Sequence, residues 1–227
     1  MHRRFEEELE ELRTKLLQMA TLAEASVSNA MAALVEADAA TAQRVIDGDR
    51  EINQFEVEID SFCIELLARR QPMAGDLRFI ASAMKINNDL ERIGDHGVNI
   101  AERTIELLKE PMIKPLIDLP KLSAIAREMV KNSLDGFVQH DVDLALTVCR
   151  RDDEVDHLNN QIIHELVSFM TRDSRVIVRA LSLIMISKNL ERVADLATNI
   201  AEEVIYILEA RTIKHHHREE DVHRKEN

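Results

Sequence analysis

Residues 90–102 read LERIGDHGVNIAE, and residues 190–202 read LERVADLATNIAE. Eight of the thirteen positions are identical at an offset of 100, the acids Glu91 and Asp95 returning as Glu191 and Asp195. Upstream the chain repeats itself at an offset of 103, with Ala126, Val130, Asn132, Val138, Asp141, Ala145, Val148, Asp152 and Glu154 each matching a residue of the first half. The register slips where ARRQPMAGD is replaced by the shorter TRDSR. Repetition over this length predicts two copies of one supersecondary unit.

The unit is helical. Phe5, Leu9, Leu12, Leu16, Met19, Ala23, Val27, Ala30 and Leu34 recur every three or four residues, which puts one apolar stripe along a helix of about nine turns. A second stripe runs Val45, Ile52, Phe55, Ile59, Phe62 and Leu66, and Pro72 ends it while opening a third helix with Asp76 in its first turn. That third helix carries Ile80, Met84, Asn87, Glu91, Gly94, Val98, Ala101, Ile105 and Leu108, its seam turning polar at Asn87 and Glu91. Three of the four prolines fall within EPMIKPLIDLP, so the chain leaves the helix there. The pattern then restarts, with helices expected at about 121–140, 143–170 and 174–211. The reading is an all-α chain of two tandem three-helix bundles, six long helices in all. Residues 1–110 form the first repeat, 111–120 a proline-rich linker, 121–213 the second repeat and 214–227 a flexible tail. His215 to His217 lie in that tail, whose lack of periodicity argues against a built metal site.

Composition agrees. With 45% hydrophobic residues but five glycines and seven aromatics among 227 residues, the chain has the profile of helices rather than strands. A net charge of −13 disfavours nucleic acid and favours cations or basic protein surfaces as partners. The apolar runs are too short for a signal sequence or a membrane span, and Cys63 and Cys149 form neither a CxxC pair nor a disulfide framework. A soluble, cytoplasmic protein is expected.

An acidic pair four residues apart says little alone, since 42 carboxylates in 227 residues produce about eight such pairs by composition. Hairpin geometry adds what spacing lacks. In an antiparallel helix pair, residues equidistant from the turn stand level. Glu91 lies as far past Pro72 as Asn53 lies before it, and Asp95 is matched in the same way by Asp49. In the second copy Asp152 with Asp195, and Asp156 with Glu191, share the midpoint 173.5 at the TRDSR turn. Each hairpin therefore brings four oxygen-bearing side chains to one level. Crowded carboxylates repel unless a cation lies among them, and hard divalent or trivalent ions take oxygen ligands. Asp49, Asn53, Glu91 and Asp95 are one candidate metal set, and Asp152, Asp156, Glu191 and Asp195 the other. Asn99 and Asn199 extend the same face by one turn as outer ligands or as a polar zipper between helices. Arg92 and Arg192 point about 100° away from the acids beside them and are poorly placed to neutralise them. His96, a leucine in the second copy, is not expected to be a ligand. Arg69, Arg70 and Arg78 flank the first turn, suited to helix-end charge compensation or to a docking surface.

These tandem motifs, with LLARRQPMAGDLR between helices and the opening FEEELEELRTKLLQMA, resemble the PhoU family over about residues 1–214. The resemblance implies a duplicated three-helix bundle whose E/D-x-x-x-D steps hold metal, iron or zinc in some members and manganese or magnesium in others. It implies a cytosolic negative regulator of phosphate uptake and phosphate-starvation signalling. Such a protein acts by contact with the ATPase subunit of a phosphate ABC transporter and with a sensor histidine kinase, is often a homodimer, and reaches the membrane only through its partners. Asn53 departs from the family's acidic residue, so the first cluster is expected to bind more weakly. No reaction is implied, and the residues agree: there is no glycine-rich phosphate loop or nucleophile elbow. A carboxylate-bridged metal enzyme would carry E-x-x-H, but that slot holds Gly94 or Ala194. A metal-free helical scaffold is the other alternative.

Overall fold

The computed structural model describes residues 2–213. Seven α-helices follow one another there: α1 His2–Glu36, α2 Ala39–Arg70, α3 Ala74–Leu107, α4 Asp118–Gln139, α5 Val142–Arg150, α6 Asp152–Arg172 and α7 Ile177–Glu209, with a short 3-10 turn at Ser174–Val176. The expected tail, with its three histidines, lies outside the described residues.

The six expected rods are present, but the fifth is interrupted at Arg151, which ends α5 and precedes α6. Hydrophobic spacing passes through this break unaltered. The acidic first turn of α6, Asp152, Asp153 and Glu154, suits a helix N-terminus, but Asp49 and Glu51 at the matching place leave α2 continuous, so charge alone does not make the break. The linker is displaced rather than shortened, running over residues 108–117. α4 begins at Asp118 rather than Lys121, because Pro120 falls in its first turn, where an amide N–H has no helical partner to lose. Asp38 caps α2 by accepting from the amides of Ala40 and Thr41 at 2.9 and 3.1 Å. The turn into α3 falls at residues 71–73, where Gln71 takes a left-handed conformation and Pro72 follows, and Asp76 lies in the first turn of α3.

In the first repeat α1, α2 and α3 pack on one another; in the second α7 packs on α4, α5 and α6. The α1 stripe from Leu12 to Leu34 is buried, as are Ile52, Ile59, Ile80, Ile93 and Ile100, each such side chain contributing roughly 1.5–3 kcal/mol of hydrophobic stabilisation. Cys63 and Cys149 are free thiols buried in this core, and burial pushes both up to about 12, which leaves them unreactive.

Two buried hydrogen bonds fix the hairpin registers. Asn87 Nδ2 donates to the carbonyl of Glu56 at 2.9 Å, and at the equivalent place Ser187 Oγ donates to Asn159 Oδ1 at 2.7 Å. Their midpoints, 71.5 and 173, lie within half a residue of those the sequence symmetry requires.

The repeats also clasp each other, since α3 lies along α7. The pairing is antiparallel: Ser82 Oγ donates to Glu203 Oε2 at 2.8 Å, while further along His96 Nδ1 meets Asn189 Oδ1 at 2.8 Å. Glu203 is buried and also receives Lys85 Nζ at 2.9 Å. Where α4 meets the first repeat, Phe79 of α3 stacks on Phe137 of α4 at 5.9 Å, with the guanidinium of Arg13 from α1 over both.

Candidate metal centre

Register and helix period together decide what the two acidic steps become. Asp49 on α2 faces Glu91 and Asp95 on α3. Glu91 is raised above the ordinary carboxylate range by burial first, then by Asp95, Glu56 and Asp49, with Arg92 opposing. Asp95 is exposed, yet partial desolvation by its surroundings and the charge of Asp49 raise it, with His96 opposing. Asn53 is exposed and turned back along its own helix, donating from Nδ2 to Asp49 Oδ2 at 2.6 Å. Asp49 Oδ1 is buried and accepts no hydrogen bond. That oxygen has carboxylates around it and no donor, which is the arrangement a cation relieves.

The second repeat repeats the pattern with more charge. Asp195 is pushed up to about 6 by burial first, then by Glu191 and Asp152, with Asp156 adding to them and Arg192 opposing. Asp152 and Asp195 line an open cleft of about 470 Å³ together with Arg92, Arg192, Thr198 and Asn199. Glu191 is held at 3.3 Å by Lys188, three residues earlier on α7. Asp156 is exposed. Asn199 is half-buried beside the cleft, whereas Asn99 is exposed on α3.

Two acids overlooked by the i,i+4 motif belong to this geometry. Glu56 acts on Glu91, and Glu202 lines the second cleft. Each lies two turns beyond a motif acid, Asp49 or Asp195, so a search at two-turn spacing finds both. Arg92 pairs with Asp89 at 3.5 Å and reaches the cleft of the other repeat, which only the α3–α7 packing makes possible. His96 is turned to α7, and burial leads in lowering its pKa, so the neutral ring is favoured.

The donor set is all oxygen, as hard cations require, and the orphaned Asp49 oxygen fits one. Among the described residues, no three His, Cys, Asp or Glu side chains converge closely enough to hold one ion as they stand. The acids share a level without closing on a common point.

The repulsion has a measurable sign. Folding holds a proton on Asp195 more tightly than the unfolded chain does, so between about pH 4 and about pH 6 the native state carries the extra proton and stability falls as pH rises. In chelator, thermal unfolding across this window is expected to show a downward contribution that Asp195→Asn removes. An identical pH profile for the variant would contradict the assignment.

Comparison with known proteins agrees with the fold. The PhoU domain matches residues 16–104 and again 119–204. A phosphate-specific transport system accessory protein PhoU homolog from Pseudomonas putida is 43% identical over 212 residues, covering 93% of this chain and 83% of its own. The corresponding accessory protein PhoU of Escherichia coli strain K12 is 34% identical, with 93% and 88% covered. The crystal structure of PhoU from Pseudomonas aeruginosa superimposes with a TM-score of 0.89 at 42% identity, covering 91% of this chain and all of the other. That of the phosphate transport system regulatory protein PhoU from Streptococcus pneumoniae gives 0.86 at 29% identity, with 92% and 99% covered. With both repeats matched and close relatives spanning nearly the whole chain, the protein belongs to the PhoU family.

Proposed function

We propose that this protein is a regulator of phosphate transport and phosphate-starvation signalling that works by protein contact, and that its two acidic steps hold hard metal ions. The observation that carries the metal reading is the repeated set of level carboxylates whose partial desolvation and mutual repulsion raise Glu91, Asp95 and Asp195. Asp152, Asp156, Glu191 and Asp195 would hold one site, with Asn199 at its edge; Asp49, Glu91 and Asp95 would hold the other, with Asn53 a neutral member. A bound cation supplies the positive charge these acids lack. The protein residues do the rest: Asp49 offers its unpartnered oxygen, and Lys188 releases Glu191. Oxygen ligands suit magnesium, manganese and iron alike, and zinc less well.

The regulatory reading is supported by the names of the relatives, which are accessory or regulatory proteins of phosphate transport. The partners proposed are the ATPase subunit of a phosphate ABC transporter and a phosphate-responsive sensor kinase, met in the cytoplasm, with a homodimer as the working form and no catalytic reaction. No helix among the described residues is long and apolar enough to cross a membrane, so membrane proximity would come through those partners. The Lys188–Glu191 pair favours a second reading, a metal-free scaffold in which lysine and arginine replace the ions.

Co-purification tests the first reading. Transporter ATPase recovered with wild-type protein is expected to drop several-fold with Glu191→Ala plus Asp195→Ala, and elemental analysis of untagged protein to show metal in the wild type. Equal recovery from both would show that docking does not need the acids. Absence of metal would leave the scaffold.

A further inference from the structure

The acidic faces do not end at the acids. Leu77 precedes Glu91 on α3 by close to four whole turns, so both are on one side of the helix. Ile64 follows Asn53 on α2 by close to three whole turns. Each aliphatic side chain continues the acidic face toward the hairpin turn, and each is exposed, Ile64 at 55% and Leu77 at 45%. The second repeat does the same. Val167 follows Asp156 by the same three turns and is 43% exposed, and Ile177 precedes Glu191 by the same four turns and is 38% exposed.

These positions are equivalent under the duplication, Ile64 with Val167 at an offset of 103 and Leu77 with Ile177 at 100. Core packing does not require them, because all four face water. Neighbouring surface positions differ freely between the repeats, Arg78 against Val178 and Lys85 against Met185. Each hairpin thus presents a strip with carboxylates at one end and aliphatic groups at the other, about 20 Å apart along four turns of helix.

We infer that each strip is a docking site for a basic amphipathic helix of a protein partner, with the partner's aliphatic residues over the hairpin end and its lysines or arginines beside the acids. Charge decides the occupant: three or four carboxylates outweigh one divalent ion, so the acid end stays negative and, with the net charge of −13, repels an acidic segment or an anionic membrane and attracts a basic helix. A helix of four turns spans the strip. Two strips imply two helices per chain, and the antiparallel α3–α7 pairing sets them at opposite ends of the molecule. This rests on the reading that the protein acts by contact.

A direct test titrates the full chain with a fluorescent helical peptide of about five turns, carrying leucines in one half and lysines in the other. Two peptides are expected per chain. Leu77→Glu and Ile177→Glu should each remove one site, and together weaken binding at least about tenfold, while Val35→Glu, an exposed position on α1, changes nothing. A peptide with glutamate in place of lysine should not bind. The proposal is overturned if the double variant binds as wild type does, or if a leucine-free lysine peptide binds equally well. It is also overturned if sedimentation shows that the variants split a dimer while the peptide fails to bind, for then the strips cover one another. Failure here leaves transporter co-purification free to succeed, so the two readings fall separately.

Discussion

Manganese(II) added to chelator-treated protein is expected to raise the melting temperature by roughly 5–10 °C at a hundredfold excess over the dissociation constant. Binding to the native state alone stabilises by about 2.7 kcal/mol at that excess, and a chain of this size gains roughly 2–4 °C per kcal/mol. The second repeat should dominate, since it offers four carboxylates where Asn53 leaves the first with fewer. Glu191→Ala plus Asp195→Ala should remove most of the shift. The same variant should melt higher than wild type in chelator, because two of the mutually repelling acids are gone. Asn53→Asp should strengthen the first site, as the amide now donating to Asp49 is replaced by another acceptor. Calorimetry with and without metal reads all three. A wild-type melting point indifferent to manganese, magnesium, iron and zinc would remove the metal sites from the account.

The second large effect is steric. Gly97→Val is expected to lower stability by about 3 kcal/mol or more, the upper range for overpacking a core. A Cβ built on Gly97 would lie 2.2 Å from Ser26 Oγ and 3.0 Å from the Ser26 backbone carbon. The hydroxyl can rotate, but the backbone of α1 cannot withdraw without opening the first bundle. Gly94 supplies the contrast. Its Cβ would meet Ile52 Cδ1 at 2.8 Å and Cγ2 at 3.2 Å; the terminal methyl can turn aside while the branch methyl must give slightly, so Gly94→Ala should cost about 1 kcal/mol, well short of Gly97→Val. Gly48 has nothing within 4 Å, and Gly48→Ala should stabilise by up to about 1 kcal/mol through helix propensity. Urea unfolding of the three variants orders them. A Gly97→Val protein as stable as wild type would mean that α1 and α3 are not so closely apposed.

The hairpins are legible in the sequence because a short turn, at Pro72 or at TRDSR, and a 3.6-residue period leave one antiparallel register, and the Asn87 and Ser187 hydrogen bonds obey it. The level acids follow from that register. The break at Arg151 is not legible, since apolar spacing is indifferent to one interrupted turn. Nor is the clasp of α3 on α7. Each repeat reads as a bundle complete in itself, and nothing local records that Ser82 will meet Glu203 or that Arg92 will line the other repeat's cleft. Glu56 and Glu202 are within reach of the sequence, but a four-residue step hides the same face two turns on.

The opposed directions of α3 and α7 carry one more implication. Tumbling the molecule end over end exchanges its halves, so approach from above or below meets nearly the same relief. What tells top from bottom is the longer α1, the break at Arg151, and substitutions such as Asn53 against Asp156 or Lys85 against Met185. Orientation on a larger assembly is therefore written wherever the two copies depart from each other, in backbone and side chain alike.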